Sequence, residues 1–266
     1  MQITIDPVVF YIGSFAVRWY NIIFILALAA GFAVLLLEAK RLSLPHVHAV
    51  RIYLWSLLFV AVFGRLFIYW DKWDYYSADF SRMLTLSGGR LDGAVFGFLL
   101  LILIYTRFTR YSFWYLGDVI TLDIAVCMAL GRWACFVNGC CFGLPCELPW
   151  AVIYTNPNSR ATLDITLHPV QLYQIIWHSL VFIYLWIVRK KLKPEGSLLL
   201  VFLIMYAAGD SFTRLFRDDN EFFAGMQQAH VLNLIILIIT VPLYFIRLRQ
   251  YRRKKASAVK PLSASL

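Results

Sequence analysis

The sequence predicts an all-α integral membrane protein, a bundle of about seven transmembrane helices with the N-terminus outside and the C-terminus cytoplasmic. Three observations carry that expectation. Of 266 residues, 61% are hydrophobic and only 15% charged, whereas soluble domains average nearer half and a quarter. The apolar residues collect in seven runs, most of them near the ~20 residues that a spanning helix needs. The basic residues gather at alternate ends of those runs, the asymmetry that orients membrane proteins. A mean hydropathy of +0.69 excludes both an ordinary cytoplasmic globule and a disordered chain. The net charge of +10 does not point to nucleic acid, because it sits beside apolar runs rather than on a polar domain.

The runs cover residues 15–37, 53–69, 92–105, 115–130, 170–188, 197–212 and 231–245. Asp6 and Pro7 precede the first run, which has neither a basic leader nor a small-residue cleavage site after it, so it is expected to persist as a helix. The third and sixth runs are short, which suggests outer ends in a protein-lined cavity rather than in lipid. Asp118 and Asp123 lie in the fourth run, and periodicity does not place them. With no internal repeat or low-complexity segment, the chain reads as a single transmembrane domain, 1–266, with a basic cytoplasmic tail over 247–266.

Orientation follows from one set of connections. Lys40, Arg41, Arg51, Arg107, Arg110, Arg189, Lys190, Lys191 and Lys193 lie there, and Arg247, Arg249, Arg252, Arg253, Lys254, Lys255 and Lys260 continue it. These are sixteen of the 25 Lys and Arg. The opposite set holds Asp71, Asp74, Asp79, Asp218, Asp219 and Glu221. The positive-inside rule then makes the tail cytoplasmic, where it either meets anionic headgroups or is simply a solvated stop signal.

The outward connections collect the unusual residues. The longest, 131–169, begins GRWACFVNGCCFGLPCELPW. Arg132 directly follows an apolar run; an arginine at a membrane edge either snorkels or binds an anion. Asn138, Gly139 and Gly143 suit a tight turn that lets backbone approach a ligand. His168 and Pro169 open the fifth run, with Gln171 and Tyr173 following. The histidine either binds a phosphate or caps the chain. Cys135, Cys140, Cys141 and Cys146 share the segment, while Cys127 lies inside a run. Their spacing is not C-x-x-C and no second pair follows, so a structural role, disulfide or packing, is expected and no metal. Ser87-Gly88-Gly89-Arg90-Leu91-Asp92-Gly93 places Arg90 and Asp92 at the mouth of the third run. Asp210, Arg214 and Arg217 stand at helical spacing, so Asp210 can pair with Arg214.

At these residues the sequence resembles the prolipoprotein diacylglyceryl transferases. The likeness begins at Asp6-Pro7, Phe10, Gly13, Arg18, Trp19 and Tyr20. It is clearest from Gly131-Arg132 through Phe136, Asn138, Gly139 and Gly143, similar to the family signature G-R-x-G-N-F-x-N-G-E-x-x-G. His168-Pro169-Val170-Gln171-Leu172-Tyr173 resembles the family's H-P-x-Q-L-Y. Cys135 stands at the signature's asparagine and Cys140 at its glutamate, as in family members with an N-G-C-C-[YF]-G form. Asp92-Gly93-Ala94 corresponds to the family's H-G-G, and Asp210 with Arg214 to an arginine and glutamate pair with its signs exchanged.

The resemblance implies a seven-span enzyme of the bacterial cytoplasmic membrane. It would transfer a diacylglyceryl group from phosphatidylglycerol to the lipobox cysteine thiol of a prolipoprotein, without a cofactor. Its partners would be phosphatidylglycerol, the prolipoprotein signal peptide and membrane lipids. Arg132 would clamp the phosphate, with Arg214 and Arg217 adding to the field. His168 or Asp92 would take the thiol proton, Asp210 would pair with Arg214, and Tyr20, Asn138, Gln171 and Tyr173 would hold substrate. The alternatives are a transferase of the same fold with another lipid or acceptor, and an inactive lipid-binding or assembly factor.

Overall fold

Among the described residues, six helices are long and apolar enough to cross a membrane: α1 (Trp19–Arg41), α2 (His46–Asp71), α5 (Phe113–Asn138), α6 (Val170–Val188), α7 (Ser197–Arg214) and α8 (Gln228–Val259). Between them lie the short α3 (Trp73–Ser77) and α4 (Leu91–Phe108), whose apolar stretch is shorter than the six. The chain is thus a mostly helical, multi-pass membrane protein. This computed structural model describes residues 1–13, 15–71, 73–80, 83, 91–217, 221–223 and 226–259. Arg90, Asp218, Asp219 and Lys260 lie outside the described residues, as do the side chains of Asp92 and Glu221.

Three boundaries differ from the sequence expectation. The first run was expected to turn helical at residue 15. Instead β3 (Phe15–Arg18) pairs antiparallel with β2 (Val8–Ile12) as a hairpin. Its β-branched and aromatic residues, Val8, Val9, Phe10, Tyr11 and Ile12, suit a strand. The fourth span was expected to end near residue 130, yet α5 runs to Asn138, so Arg132 and Cys135 are helical. Its stop is Gly139, whose φ of +72° is the left-handed conformation that closes helices. The third difference is the basic run after residue 246, which continues α8 to Val259 with Pro242 inside the helix.

The long connection after α5 is not irregular throughout. β1 (Gln2–Ile3), β4 (Val152–Tyr154) and β5 (Thr166–Leu167) form a small sheet in the order β1-β4-β5. Ile3, Val152, Tyr154 and Leu167 are buried with Phe136 of α5 and Ile175 of α6. That cluster fastens the sheet to the ends of two helices. A second hairpin, β6 (Glu221–Phe223) with β7 (Met226–Gln227), leads into α8.

Contacts divide the chain into two compact units, Met1–Val34 with Ile120–Leu266, and Leu35–Val119. In the second, α2 packs on α4, and a Cβ at Gly97 would stand 2.6 Å from the Phe59 carbonyl oxygen. Small residues are what let membrane helices approach so closely. Phe63 and Phe96 fill the seam, with ring centroids 5.5 Å apart. In the first unit, one core joins Leu122 and Ala125 of α5, Val181 and Leu185 of α6, and Leu198 and Phe202 of α7. A Cβ at Gly31 of α1 would collide with the Asp123 carboxylate and the Cys127 sulfur, which places Asp123 at a close α1–α5 approach.

Candidate active site

The larger unit carries the candidate site at the C-terminal end of α5. Asn138, the last residue of that helix, accepts a hydrogen bond from Arg18 Nη1 through its Oδ1 at 3.1 Å. The same nitrogen donates to the Asn158 carbonyl oxygen at 3.1 Å. The Asn158 side-chain amide donates to both Asp6 carboxylate oxygens at 3.2 Å. Arg160 N donates to the Asn138 carbonyl oxygen at 3.0 Å. The N-terminal segment and the loop before β5 are therefore laced to the end of α5 by polar groups. A Cβ at Gly139 would collide with the Ser159 hydroxyl, so the turn tolerates only glycine.

That turn folds the chain back under the helix. Cys140 N donates to the Cys135 carbonyl oxygen at 3.1 Å, and Cys141 takes a φ of +62°. The sulfurs of Cys135, Cys140 and Cys141 come within 4.8 Å of one another. All five cysteines are free thiols, partly buried. S–H donation from Cys135 and Cys140, and then the nearby charges of Arg217 and Arg132, hold the Cys141 thiol well below the usual thiol range. The Gln171 side-chain amide donates to the Cys140 carbonyl oxygen at 2.7 Å and ties this loop to α6.

Behind the loop stands a buried polar wall. Gln171, Gln174 and His178 lie three and four residues apart, on one face of α6. They are 0%, 1% and 2% exposed, and Asp210 of α7 is 2% exposed. Asp210 Oδ2 accepts from Arg214 Nε at 2.8 Å and from Asn233 Nδ2 of α8 at 2.9 Å. Gln174 Nε2 donates to the Thr213 hydroxyl at 3.3 Å. Among the described residues, Gln171 Oε1, Gln174 Oε1, His178 Nε2 and Asp210 Oδ1 have no partner. Buried polar atoms are normally paired, so each such atom marks a place for water or a ligand. Arg132 lies within electrostatic reach of His178, Tyr206 and Asp210. Among the described residues its guanidinium, partly buried, makes no hydrogen bond or ion pair.

The remaining sequence candidates group nearby. Tyr20, in the first turn of α1, is within electrostatic reach of the three thiols. Arg217 is within reach of Cys141. His168 and Tyr173 stand as a pair, Nδ1 to hydroxyl 3.3 Å, and Tyr173 also accepts from the Trp150 indole at 2.8 Å. Gly143 N donates to the His168 carbonyl oxygen at 3.0 Å, joining the signature loop to the start of α6. His168 is thus held by aromatic neighbours, Phe216 at 4.9 Å included, and not on the wall with His178. Asp92 cannot be joined to this group, its side chain lying outside the described residues.

A family model described as prolipoprotein diacylglyceryl transferase matches residues 7–246. The chain belongs to that family. Among curated members, the phosphatidylglycerol-prolipoprotein diacylglyceryl transferase of Dehalococcoides mccartyi is 32% identical over 95% of this chain and 97% of its own length. Enzymes of the same name from Clostridioides difficile and Listeria welshimeri are each 27% identical. The first alignment covers 88% of this chain and 92% of the relative, the second 94% and 91%. In this transferase-family chain the expected Asp210–Arg214 ion pair is present, and Arg132, Asn138 and Gln171 converge on one end of α5. The sequence placed Arg18 only within the opening motif, with no role, and did not single out Gln174 or His178. A polar stripe at three- and four-residue steps in an otherwise apolar span was the available signal for the last two.

Proposed function

We propose that this protein transfers the diacylglyceryl group of phosphatidylglycerol to the lipobox cysteine thiol of prolipoproteins in the bacterial cytoplasmic membrane. The observation that carries this reading is Arg132. A partly buried guanidinium without a hydrogen-bonding or ionic partner among the described residues is a fork matched to a phosphate. Relatives named for the reaction align along nearly the whole chain.

In the reaction the acceptor thiol loses its proton and its sulfur attacks the glycerol carbon. The bond from that carbon to the phosphate oxygen breaks, and glycerol phosphate leaves with the electron pair. Arg132 meets the charge that grows on the leaving phosphate. Arg214, oriented by Asp210, and Arg217 add positive potential. Tyr20, Asn138, Gln171 and Tyr173 supply polar contacts to headgroup or peptide. His168 or Asp92 accepts the thiol proton, and the unpartnered His178 nitrogen is a further acceptor on the wall. A thiol needs modest help to ionise near neutral pH.

Radiolabelled phosphatidylglycerol, a lipobox peptide and purified protein test the reading, with thioether product as the expected result. Binding of the lipid without product would support a second reading, an inactive lipid-binding or assembly factor. The stand-ins at the family's glutamate and histidine, Cys140 and Asp92, are what favour that second reading. We further propose that the N-terminus and the loop after α5 face outward, on the strength of the basic residues that follow α1, α4, α6 and α8. Asn158→Cys is expected to react with an impermeant maleimide in intact spheroplasts, against the unsubstituted chain as blank. Reaction only after lysis would reverse the orientation.

A further inference from the structure

Five cysteines are free, and three of them meet. Neither a disulfide nor simple packing accounts for the meeting, since one disulfide consumes two sulfurs and packing needs no convergence of sulfur on sulfur. The backbone is bent to bring it about. Cys135 is on the last turn of α5, Gly139 and Cys141 both take positive φ, and Cys140 N returns to the Cys135 carbonyl oxygen. A non-glycine residue at φ +62° persists only where its surroundings enforce it. Here Gln171 holds the adjoining carbonyl at 2.7 Å.

The sulfur spacing fits a metal. Two sulfurs on a tetrahedral zinc stand roughly 3.8 Å apart, given a Zn–S bond of about 2.3 Å. The observed limit of 4.8 Å is therefore within a small side-chain adjustment of closure. Thiolates select soft cations over magnesium or calcium. Among the described residues, no fourth His, Cys, Asp or Glu joins the group. Three protein ligands with an open position are the pattern of a working zinc site rather than a structural one. Arg132 and Arg217 are in electrostatic reach of Cys141, and Tyr20 of all three sulfurs.

We propose that Cys135, Cys140 and Cys141 bind one cation of the zinc class through three thiolates, and that its fourth position takes the acceptor thiol. The second half rests on the transferase reading given above. On binding, the acceptor S–H proton passes to solvent as the metal–sulfur bond forms. A metal-bound thiol is deprotonated outright. The sulfur lone pair then forms the S–C bond as the C–O bond to phosphate breaks, the pair leaving on the phosphate oxygen. The thioether, now uncharged and a weak ligand, departs and leaves the three thiolates on the metal. Arg132 and Arg217 balance the negative charge of the assembly. Cys140 would then supply the activation of the thiol from the position where the family signature has glutamate.

The full chain, purified in detergent under reducing conditions without chelator, tests this. Its zinc is counted, and cobalt(II) is then exchanged in for absorption spectroscopy. The expected result is about one zinc per chain, lost in Cys135→Ser, Cys140→Ser and Cys141→Ser and kept in Cys146→Ser. The sulfur-to-cobalt charge-transfer band should grow with a lipobox peptide and not with the same peptide carrying serine. A chain that takes up no zinc after reconstitution overturns the proposal, as does zinc retained in all three serine variants or a band indifferent to the peptide thiol. If the variants do not fold, zinc uptake blocked by alkylating the reduced native chain replaces them, and uptake unaffected by alkylation has the same adverse meaning. Turnover of phosphatidylglycerol is read separately. Full turnover in zinc-free protein sinks this inference and leaves the transferase reading. Zinc on the three cysteines with no turnover leaves the metal site and sinks the transferase reading.

Discussion

The two ends of the α5–α6–α7 bundle are built from the same three helices and do opposite things. At one end Leu122, Ala125, Val181, Leu185, Leu198 and Phe202 close on one another. At the other end Arg132, Gln171, Gln174, His178 and Asp210 face inward, and four of their buried atoms are unpartnered among the described residues. Those six apolar side chains carry no polar atom that needs a partner. The polar end bears the cost of desolvated polar groups, which a stable anchor would not keep. The contrast teaches where binding energy is held back for a substrate, and substitutions at the two ends should separate accordingly.

The largest effect is expected at Arg132. Arg132→Ala should lower the turnover of phosphatidylglycerol by a factor of roughly 100 to 1,000, the size of losing one transition-state charge contact. Arg132→Lys keeps the charge without the fork and should recover only part. The loss should fall mainly on kcat. Near wild-type turnover in Arg132→Ala would erase the distinction between the two ends.

Next comes the ion pair. Asp210→Arg alone leaves like charges four residues apart beside Asn233 and should lower turnover strongly, though by less than Arg132→Ala. Adding Arg214→Asp should restore a part of it, because the pair survives with its signs exchanged. A double variant no better than the single would mean that the sign at position 210, and not the pair, is what the site reads.

His178→Phe keeps the ring and the Tyr206 stack, 6.1 Å between centroids, and removes the unpartnered nitrogen. If that nitrogen moves a proton, turnover should fall about 100-fold; if it only holds water, the fall should stay within a few-fold. The pH profile of kcat tells the two apart, since only the first changes its shape.

The smallest effect on turnover is expected at the apolar end. Leu185→Ala should cost about 2–4 kcal/mol of stability, read as a lower unfolding temperature in detergent. Turnover per folded molecule should stay within twofold. A large loss of turnover there would show that the two ends are coupled rather than independent.

The helices were legible because their signal is long and one-dimensional. Among the described residues, apolar runs announced the six helices long and apolar enough to cross a membrane and the shorter α4. What escaped was set by few residues or by distant partners. The stop of α5 depends on one left-handed glycine, Gly139, well beyond Leu130, where the apolar run ends. The strand β3 was hidden because a bilayer helix and a β-hairpin both want Phe, Val and Ile. Arg132, Asn138, Gln171, Asp210 and Arg214 were visible through the family signature and helical spacing. Arg18 was seen only as part of an opening motif, because its partners Asn138 and Asn158 are more than a hundred residues away. The meeting of the three cysteines escaped for the opposite reason. Their spacing in sequence fits no metal motif, and only the reversal at residues 139–141 brings position 135 back to meet them.

The length of α8 has a mechanical meaning. Its 32 residues extend about 48 Å, while the hydrocarbon core is about 30 Å thick. Roughly 18 Å must stand clear of the lipid tails or lean against the headgroups. Pro242 removes one backbone hydrogen bond near the middle of the helix. After Pro242 come Arg247, Arg249, Arg252, Arg253, Lys254 and Lys255, and before it Asn233 holds Asp210. One continuous helix therefore carries both the basic stretch and the residue that holds Asp210 in place.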